Sequence, residues 1–336
     1  VPKESIDVSI EYRSLRESDY DDLAALLSEA ESAEGVPMRQ VGEEIREDFE
    51  SLPVDLGAHT LTAWVDGTLV GASYAYHMPS EERLECCYVF GAVRPAFRGR
   101  GVGSRLVRHG VATADRLLSS STNSVPKHIR AVTAAGNEEA ADLFAAEGMR
   151  VIRHFSVLRR SLDSLPLPRD TEGFRIVPWD ASRSEEILAV KNSAFRDHWG
   201  SVPTSPEMWR VRTEGFGARP DLSFVAMGPD NGVVGFVLAH RYENDDPILG
   251  ARYAWIDNVG TRAEWRGRGV ASGLISNALA AFRRDGLGFA AIEVDSESPT
   301  GAHRLYESLG FAPWHRTVMW QRDVAGPDRG TEEDSR

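Results

Sequence analysis

The 336-residue chain is poor in lysine and cysteine and has no long apolar run, and each shortage excludes something. Lysine occurs only at Lys3, Lys127 and Lys191, so arginine carries nearly all of the positive charge. That bias points to a GC-rich genome and says nothing about mechanism. The formal net charge of −13 argues against nucleic acid as a partner, because phosphate contacts need a basic face. The two cysteines, Cys86 and Cys87, are neighbours in a strand-like run, where adjacent side chains point to opposite faces. A disulfide between them is therefore not expected. No His/Cys/Asp/Glu spacing suits a metal, and a reducing, cytoplasmic compartment is the simplest inference. No apolar stretch approaches the ~20 residues that span a bilayer, so no membrane association is expected. No signal-peptide pattern follows Val1. A hydrophobic content of 42% with 26% charged residues fits a soluble globular chain, long enough for two domains with cores of their own.

What the chain does have is a repeat. Arg98-Gly99-Arg100-Gly101-Val102-Gly103-Ser104 recurs half a chain length later as Arg266-Gly267-Arg268-Gly269-Val270-Ala271-Ser272. Each copy lies between an apolar strand-like run and an amphipathic helix. A glycine-rich loop feeding a helix N-terminus presents unpaired backbone N–H groups, which suits an anion. Two phosphate-binding motifs fail on residues. Neither copy has the lysine of G-x-x-x-x-G-K-[ST], and the third glycine of G-x-G-x-x-G is replaced by Ser104 and Ser272.

The order of elements also repeats. In the first half, Val8–Leu15 reads as a strand, Ser18-Asp19 as the cap of a helix to about Ser32, and Gln40–Ser51 as a second helix. Thr60–Val65 and Leu69–His77 form a hairpin at Asp66-Gly67. Glu85–Val93 leads into the loop, a helix runs on to about Leu118, and His128–Ala134, Asn137–Glu147 and Val151–Arg159 read as strand, helix and strand. In the second half, Phe174–Val177, Ser184–Phe195, Ser205–Glu214, Leu222–Met227 and Val233–Tyr242 repeat strand, helix, helix and hairpin, with Asn231-Gly232 at the turn. Arg252–Gly260, Gly269–Asp285, Phe289–Val294, Pro299–Leu309 and Ala312–Gln321 complete the copy, with Pro299 in the first turn of the last helix. The expected division is 1–160, a proline-bearing linker at 161–172, 173–325, and a polar, disordered tail at 326–336.

The motif R/Q-x-x-G-x-G/A and this β-α-α-β-β-β-α-β-α-β order resemble the GNAT acetyltransferase superfamily over nearly the whole chain. The tandem arrangement is similar to the actinomycete group that includes mycothiol synthase and relatives in antibiotic-type biosynthetic clusters such as that for clavulanic acid. The resemblance implies an α/β (α+β) fold of two tandem GNAT domains, each a mixed, splayed, mostly antiparallel sheet flanked by helices. It implies acetyl-CoA (acyl-CoA) as the bound group, up to one per domain, with no metal. The pyrophosphate would meet residues 98–104 and 266–272, and the arm would run beside Val93, Asn137, Val259 and Thr261. The partner would be a small-molecule amine, and the chain a monomer or homodimer.

The halves differ where the family commonly places a tyrosine acid. Leu305-Tyr306-Glu307-Ser308-Leu309-Gly310-Phe311 has Tyr306, whereas Leu143-Phe144-Ala145-Ala146-Glu147-Gly148-Met149 has Phe144. The expectation is a reacting C-terminal half and an N-terminal half that holds acetyl-CoA without turning it over. Asp257 is the first candidate for general base, with Glu293 and Asp295 next. His198 and Trp199 fall where the family shapes its acceptor pocket, with Glu293 as a further wall. A non-catalytic acyl-CoA-binding or sensing protein, and an acyltransferase using a longer acyl group or a hydroxyl acceptor, stay open as alternatives.

Overall fold

The computed structural model describes residues 9–36, 38–166, 173–196, 198–297 and 301–324. The first half contains β1 (Glu11–Arg13), α1 (Tyr20–Ala33), α2 (Gly42–Ser51), a single turn α3 (Leu56–His59), β2 (Thr60–Val65), β3 (Thr68–Met78), β4 (Glu85–Val93), α4 (Val102–Ser120), β5 (Lys127–Ala134), α5 (Glu138–Ala146) and β6 (Arg150–Ser161). The second contains β7 (Arg175–Pro178), α6 (Ser184–Ala194), α7 (Pro206–Glu214), β8 (Phe224–Met227), β9 (Val233–His240), a single turn α8 (Asp246–Leu249), β10 (Tyr253–Thr261), α9 (Val270–Arg284), β11 (Phe289–Asp295), α10 (Ala302–Ser308) and β12 (Ala312–Val324).

Turn chemistry accounts for most of the boundaries. Asp66 and Gly67 take φ of 47° and 76°, the pair of left-handed residues that a two-residue hairpin needs. Gly148 and Gly310, at φ 74° and 83°, end α5 and α10. Three details differ from the sequence reading. Asp19 does not cap α1 with its side chain; its carboxylate accepts instead from Arg13 (2.6 Å) and from the Arg16 N–H (2.8 Å). Asn231-Gly232 is not a two-residue turn, since the Gly228 N–H bonds the Gly232 carbonyl across a longer connection. Pro299 lies outside the described residues, and α10 begins after Gly301, which is itself left-handed. Residues 167–172 of the expected linker and the expected tail also lie outside; Ser161 closes β6 and Leu162 is buried in the second half's core.

Among the described residues, twelve strands form one sheet in the order β1-β2-β3-β4-β5-β12-β6-β11-β10-β9-β8-β7. Only β4/β5 and β10/β11 are parallel. The last strand of each half is exchanged: β12 lies against β5, and β6 lies against β11. Under the second half, Leu274, Ile275, Ala278, Leu279 and Phe282 of α9 pack on Ala239, Ala254 and Ile292 of the sheet. In the first half Val111, Ala114 and Leu118 of α4 pack on Ala75, Val89 and Ile129. Two of the three lysines are interior: Lys127 donates to the carbonyls of Leu118 and Ser121 at the end of α4, and Lys191 is buried on α6.

Candidate active site

Each repeated loop is built alike. A 3-10 turn, Pro95–Phe97 or Ala263–Trp265, leads to two left-handed glycines: Gly99 and Gly101 at φ 69° and 80°, Gly267 and Gly269 at 74° and 82°. Gly101 and Gly269 are the residues before α4 and α9, and neither helix has a side-chain cap. Among the described residues, the N–H groups of Gly99, Arg100, Gly101, Val102, Gly103 and Ser104 have no partner, nor do those of Gly267, Arg268, Gly269, Val270, Ala271 and Ser272. The first hydrogen bonds come only at Arg105 and Gly273. Nothing lies within 4 Å of where a Cβ on any of the four left-handed glycines would be. Two open nests of N–H donors at helix N-termini therefore fit a pyrophosphate such as that of acetyl-CoA.

The arginines divide the labour. Arg100 stacks on Phe97 (5.2 Å) and Arg268 on Trp265 (5.0 Å), and neither is ion-paired among the described residues. Arg98 and Arg266 instead staple their loops. Arg98 donates to Glu34 (2.8 Å) and to the Val93 carbonyl (3.2 Å), and Arg266 to the Ala194 carbonyl (2.8 Å) at the end of α6.

Beside each nest the parallel strands part. β4 and β5 stay paired only from Glu85/Lys127 to Tyr88/Arg130, and β10 and β11 only from Tyr253/Phe289 to Trp255/Ala291. Beyond those points Val89–Val93 and Ile256–Thr261, with Val259 and Thr261 among them, have one free edge. In the first half this V holds a cavity of about 480 Å³ lined by Val89, Gly91, Val93, Arg98, Gly103, Ser104, Asn137, Leu143 and Phe144. Asn137 Oδ1 caps α5 through the Ala140 N–H (3.0 Å). Thr317 of the exchanged strand also lines the cavity, as does Glu31, which accepts from Gln40 (3.1 Å). Burial pushes the Glu31 carboxyl up to about 7.

The second half departs from the first at the carboxylate. The β9/β10 register skips Asp257, with Ile256 opposite Ala239 and Asn258 opposite Leu238. Asp257 is thus the extra residue of a bulge, a device that re-aims a side chain. The β3/β4 pairing runs without a skip, and the residue half a chain length before Asp257 is Val89. Burial acts to raise the Asp257 carboxyl, but Arg212, His240 and Asn258 outweigh it and hold it below the ordinary value. Arg212 Nη1 lies 3.0 Å and Asn258 Nδ2 3.2 Å from Oδ2. Tyr306 is buried, with its ring edge-on to Phe311 at 6.1 Å, and burial raises its hydroxyl pKa. The cysteines are both buried and free, and burial pushes their thiols up to about 11 and 12, far from a reactive thiolate.

A sequence profile of the acetyltransferase (GNAT) family matches residues 21–149 and again 185–311. The chain belongs to the GNAT acetyltransferase family. Both matches stop just before an exchanged strand. A mycothiol acetyltransferase of Thermobispora bispora is 33% identical over 247 residues, covering 68% of this chain and 74% of that one. One of Nocardia farcinica is 30% identical over 312 residues, covering 91% and 94%. Among solved structures, a GCN5-related N-acetyltransferase from Sphaerobacter thermophilus matches with a TM-score of 0.74 at 26% identity, over 95% of this chain and 97% of that one. A tandem GNAT protein from the clavulanic acid biosynthesis pathway matches with 0.67 at 18% identity, over 95% and 100%.

The remaining candidates of this GNAT chain are spread along the sheet. Two guanidinium groups lie over Trp199, Arg130 at 4.4 Å and Arg153 at 5.1 Å, and dock it onto the first half. His198 stays local, with Nδ1 3.3 Å from the Trp199 carbonyl oxygen. Glu293 accepts from Thr317 (3.3 Å) and Asp295 pairs with Arg153 (2.8 Å), so both serve the seam between the exchanged strands. Sequence reasoning missed Arg212, Arg130 and Arg153, because each finds its partner far away in the chain and arginine is too common here to single them out.

Proposed function

We propose that the chain is an acetyl-CoA-dependent N-acetyltransferase acting on the amine of a small molecule, with reaction in the C-terminal half (173–325) and acetyl-CoA held without turnover in the N-terminal half (1–160). The carrying observation is an asymmetry. The two nests are alike, but the bulged carboxylate and the tyrosine, Asp257 and Tyr306, have Val89 and Phe144 as their counterparts in the first half. The mycothiol acetyltransferase relatives support a small-molecule acceptor.

Bound at the nest, acetyl-CoA supplies an activated acyl thioester. The N–H groups of 267–272 would hold its pyrophosphate, with Arg268 alongside. The free edge of β10 near Val259 and Thr261 would donate to the thioester oxygen as charge develops there. Asp257, ionised throughout the neutral range, would draw in the acceptor nitrogen and take its proton directly or through water. Tyr306 stays protonated and would present its O–H to the departing sulfur. Neither cysteine suits a covalent intermediate, which favours direct attack.

The test is release of free CoA thiol from acetyl-CoA in the presence of aminosugars, aminothiols, amino acids and polyamines, with native mass spectrometry of the loaded chain. Amine-dependent release together with one retained and one exchanging CoA supports the reading. Two retained CoA molecules and no turnover with any amine would leave a binding or sensing protein.

A further inference from the structure

The segment that bears Arg212 is tied to both halves. Arg212 lies on α7, and its guanidinium reaches Asp257 Oδ2 at 3.0 Å. Its carbonyl is fixed by His240 Nε2 at 2.8 Å, and His240 Nδ1 meets the Tyr242 hydroxyl at 3.1 Å. One turn later α7 ends, and the Phe216 N–H donates to Glu47 Oε2, from α2 of the first half, at 2.6 Å. Gly215 makes that approach possible, because a Cβ there would lie 2.7 and 2.8 Å from the two Glu47 oxygens.

A bulged residue has no ladder hydrogen bonds to fix its direction, so the contacts of Asp257's own side chain must do so. Asn258 is its neighbour on the same strand and moves with it. Arg212 comes from outside the strand and is the contact that can define where the carboxylate points. We propose that Arg212 is the positioning residue of the reaction centre, and that Glu47 of the N-terminal half sets Arg212 by holding the end of α7. The inference rests on the reading of Asp257 as the reacting carboxylate. It gives the non-reacting half a part in the chemistry: its α2 anchors the group that aims the base.

The charged and titratable groups facing Asp257 can be named element by element. They are Arg212 from α7, His240 from β9, Tyr242 just beyond it, and Lys191 from α6. Glu44 and Asp48 of α2 act on the same Tyr242 from the first half. Arg212 is the only one of these whose side chain hydrogen-bonds Asp257 among the described residues.

The experiment is a carboxyl-carbon NMR titration of the full chain labelled with 13C aspartate, Asp257 being assigned by the signal lost in Asp257→Asn. Removing an adjacent cation raises a carboxylate's pKa by about 1–3 units, so Arg212→Gln should move Asp257 up by that much, while Arg212→Lys should keep it nearer the wild-type value. Glu47→Gln should also move it up, by less. The sign is decisive, because loss of a negative charge acts directly only to lower a carboxyl's pKa. An upward shift must come through a displaced Arg212. No shift in Arg212→Gln would overturn the positioning role, and no shift or a downward one in Glu47→Gln would overturn the link between the halves. Amine-dependent thiol release unchanged in Asp257→Asn would overturn the reading of Asp257 itself, whatever the titrations give.

Discussion

Phe155 and Thr317 face each other across β6 and β12. Each follows, at the same interval, the glycine that ends its half's last helix, Gly148 or Gly310. Counterparts of the two halves therefore pair with one another, and a local two-fold axis passes between them. Two-fold contact is the usual way in which two copies of one chain associate. Here the copies share one polypeptide, and the exchange of their last strands leaves neither half with a complete sheet of its own.

A chain cut after residue 160 should therefore not fold as a monomer. It would expose the edge of β5 where β12 belongs and leave β6 without either neighbour. The expected product aggregates, or dimerises by placing the β6 of one copy in the β12 position of another. Size-exclusion chromatography with proton–nitrogen correlation spectra decides the matter: a well-dispersed monomeric spectrum would count against the exchange.

The left-handed glycines give a paired prediction. The space around Gly101 and Gly269 is open, so alanine meets no clash, only the cost of about 1–2 kcal/mol for a non-glycine residue in that conformation. Any relief of that strain would turn the N–H groups away from the nest. Gly269→Ala should weaken acetyl-CoA binding in the second half and raise the KM for acetyl-CoA, and Gly101→Ala should empty only the first. Native mass spectra of the two variants should lose different CoA molecules.

Most of the fold was legible because its signals are local. Asp66-Gly67, Gly148, Gly310 and the two nests each act within a few residues, and Glu85–Val93 coincides with β4. The strand exchange was not legible, because β6 and β12 look the same whichever sheet they join; only pairing such as Val157 with Glu293 distinguishes the two arrangements. The site divides in the same way. The anion nests follow from spacing, whereas the surroundings of Asp257, Trp199 and Glu31 depend on Arg212, Arg130 and Gln40, whose places are set by tertiary packing.

Glu31 should make the chain less stable as pH rises. Its pKa is raised in the folded state to about 7, above the ordinary carboxyl value it regains on unfolding. The folded form therefore binds more protons between those two values, and stability falls with rising pH across that window. Glu31→Gln removes the titration and keeps the hydrogen-bonding shape. Its Tm relative to wild type should rise from pH 5 to pH 8, and a constant difference would mean that Glu31 titrates normally.

Arg153 carries a structural load at the seam. It grips Asp295 with two hydrogen bonds, at 3.0 and 2.8 Å, and lies over Trp199. The Asp295 side chain is 1% exposed. Removing one partner of a buried pair leaves an uncompensated charge and costs about 3–5 kcal/mol. Arg153→Ala should lose stability on that scale in denaturant titrations, whereas Arg153→Ala with Asp295→Asn should recover part of it. Equal losses in the single and double variants would show that the pair matters only as packing.

Tyr306→Phe gives the second half the residue that the first half already has. If the hydroxyl assists the departing sulfur, turnover should fall by about 10²–10⁴ while acetyl-CoA affinity holds, because the nest at 267–272 is untouched. The reverse change, Phe144→Tyr, should add no turnover to the first half: a proton donor would be restored opposite Val89, which cannot take the acceptor's proton. Only Phe144→Tyr combined with Val89→Asp tests whether those two positions are the whole difference, and the unbulged β3/β4 register predicts that even this pair falls short. Thiol-release assays of the three variants, with Tyr306→Phe as background for the first-half changes, separate a missing side chain from a missing direction.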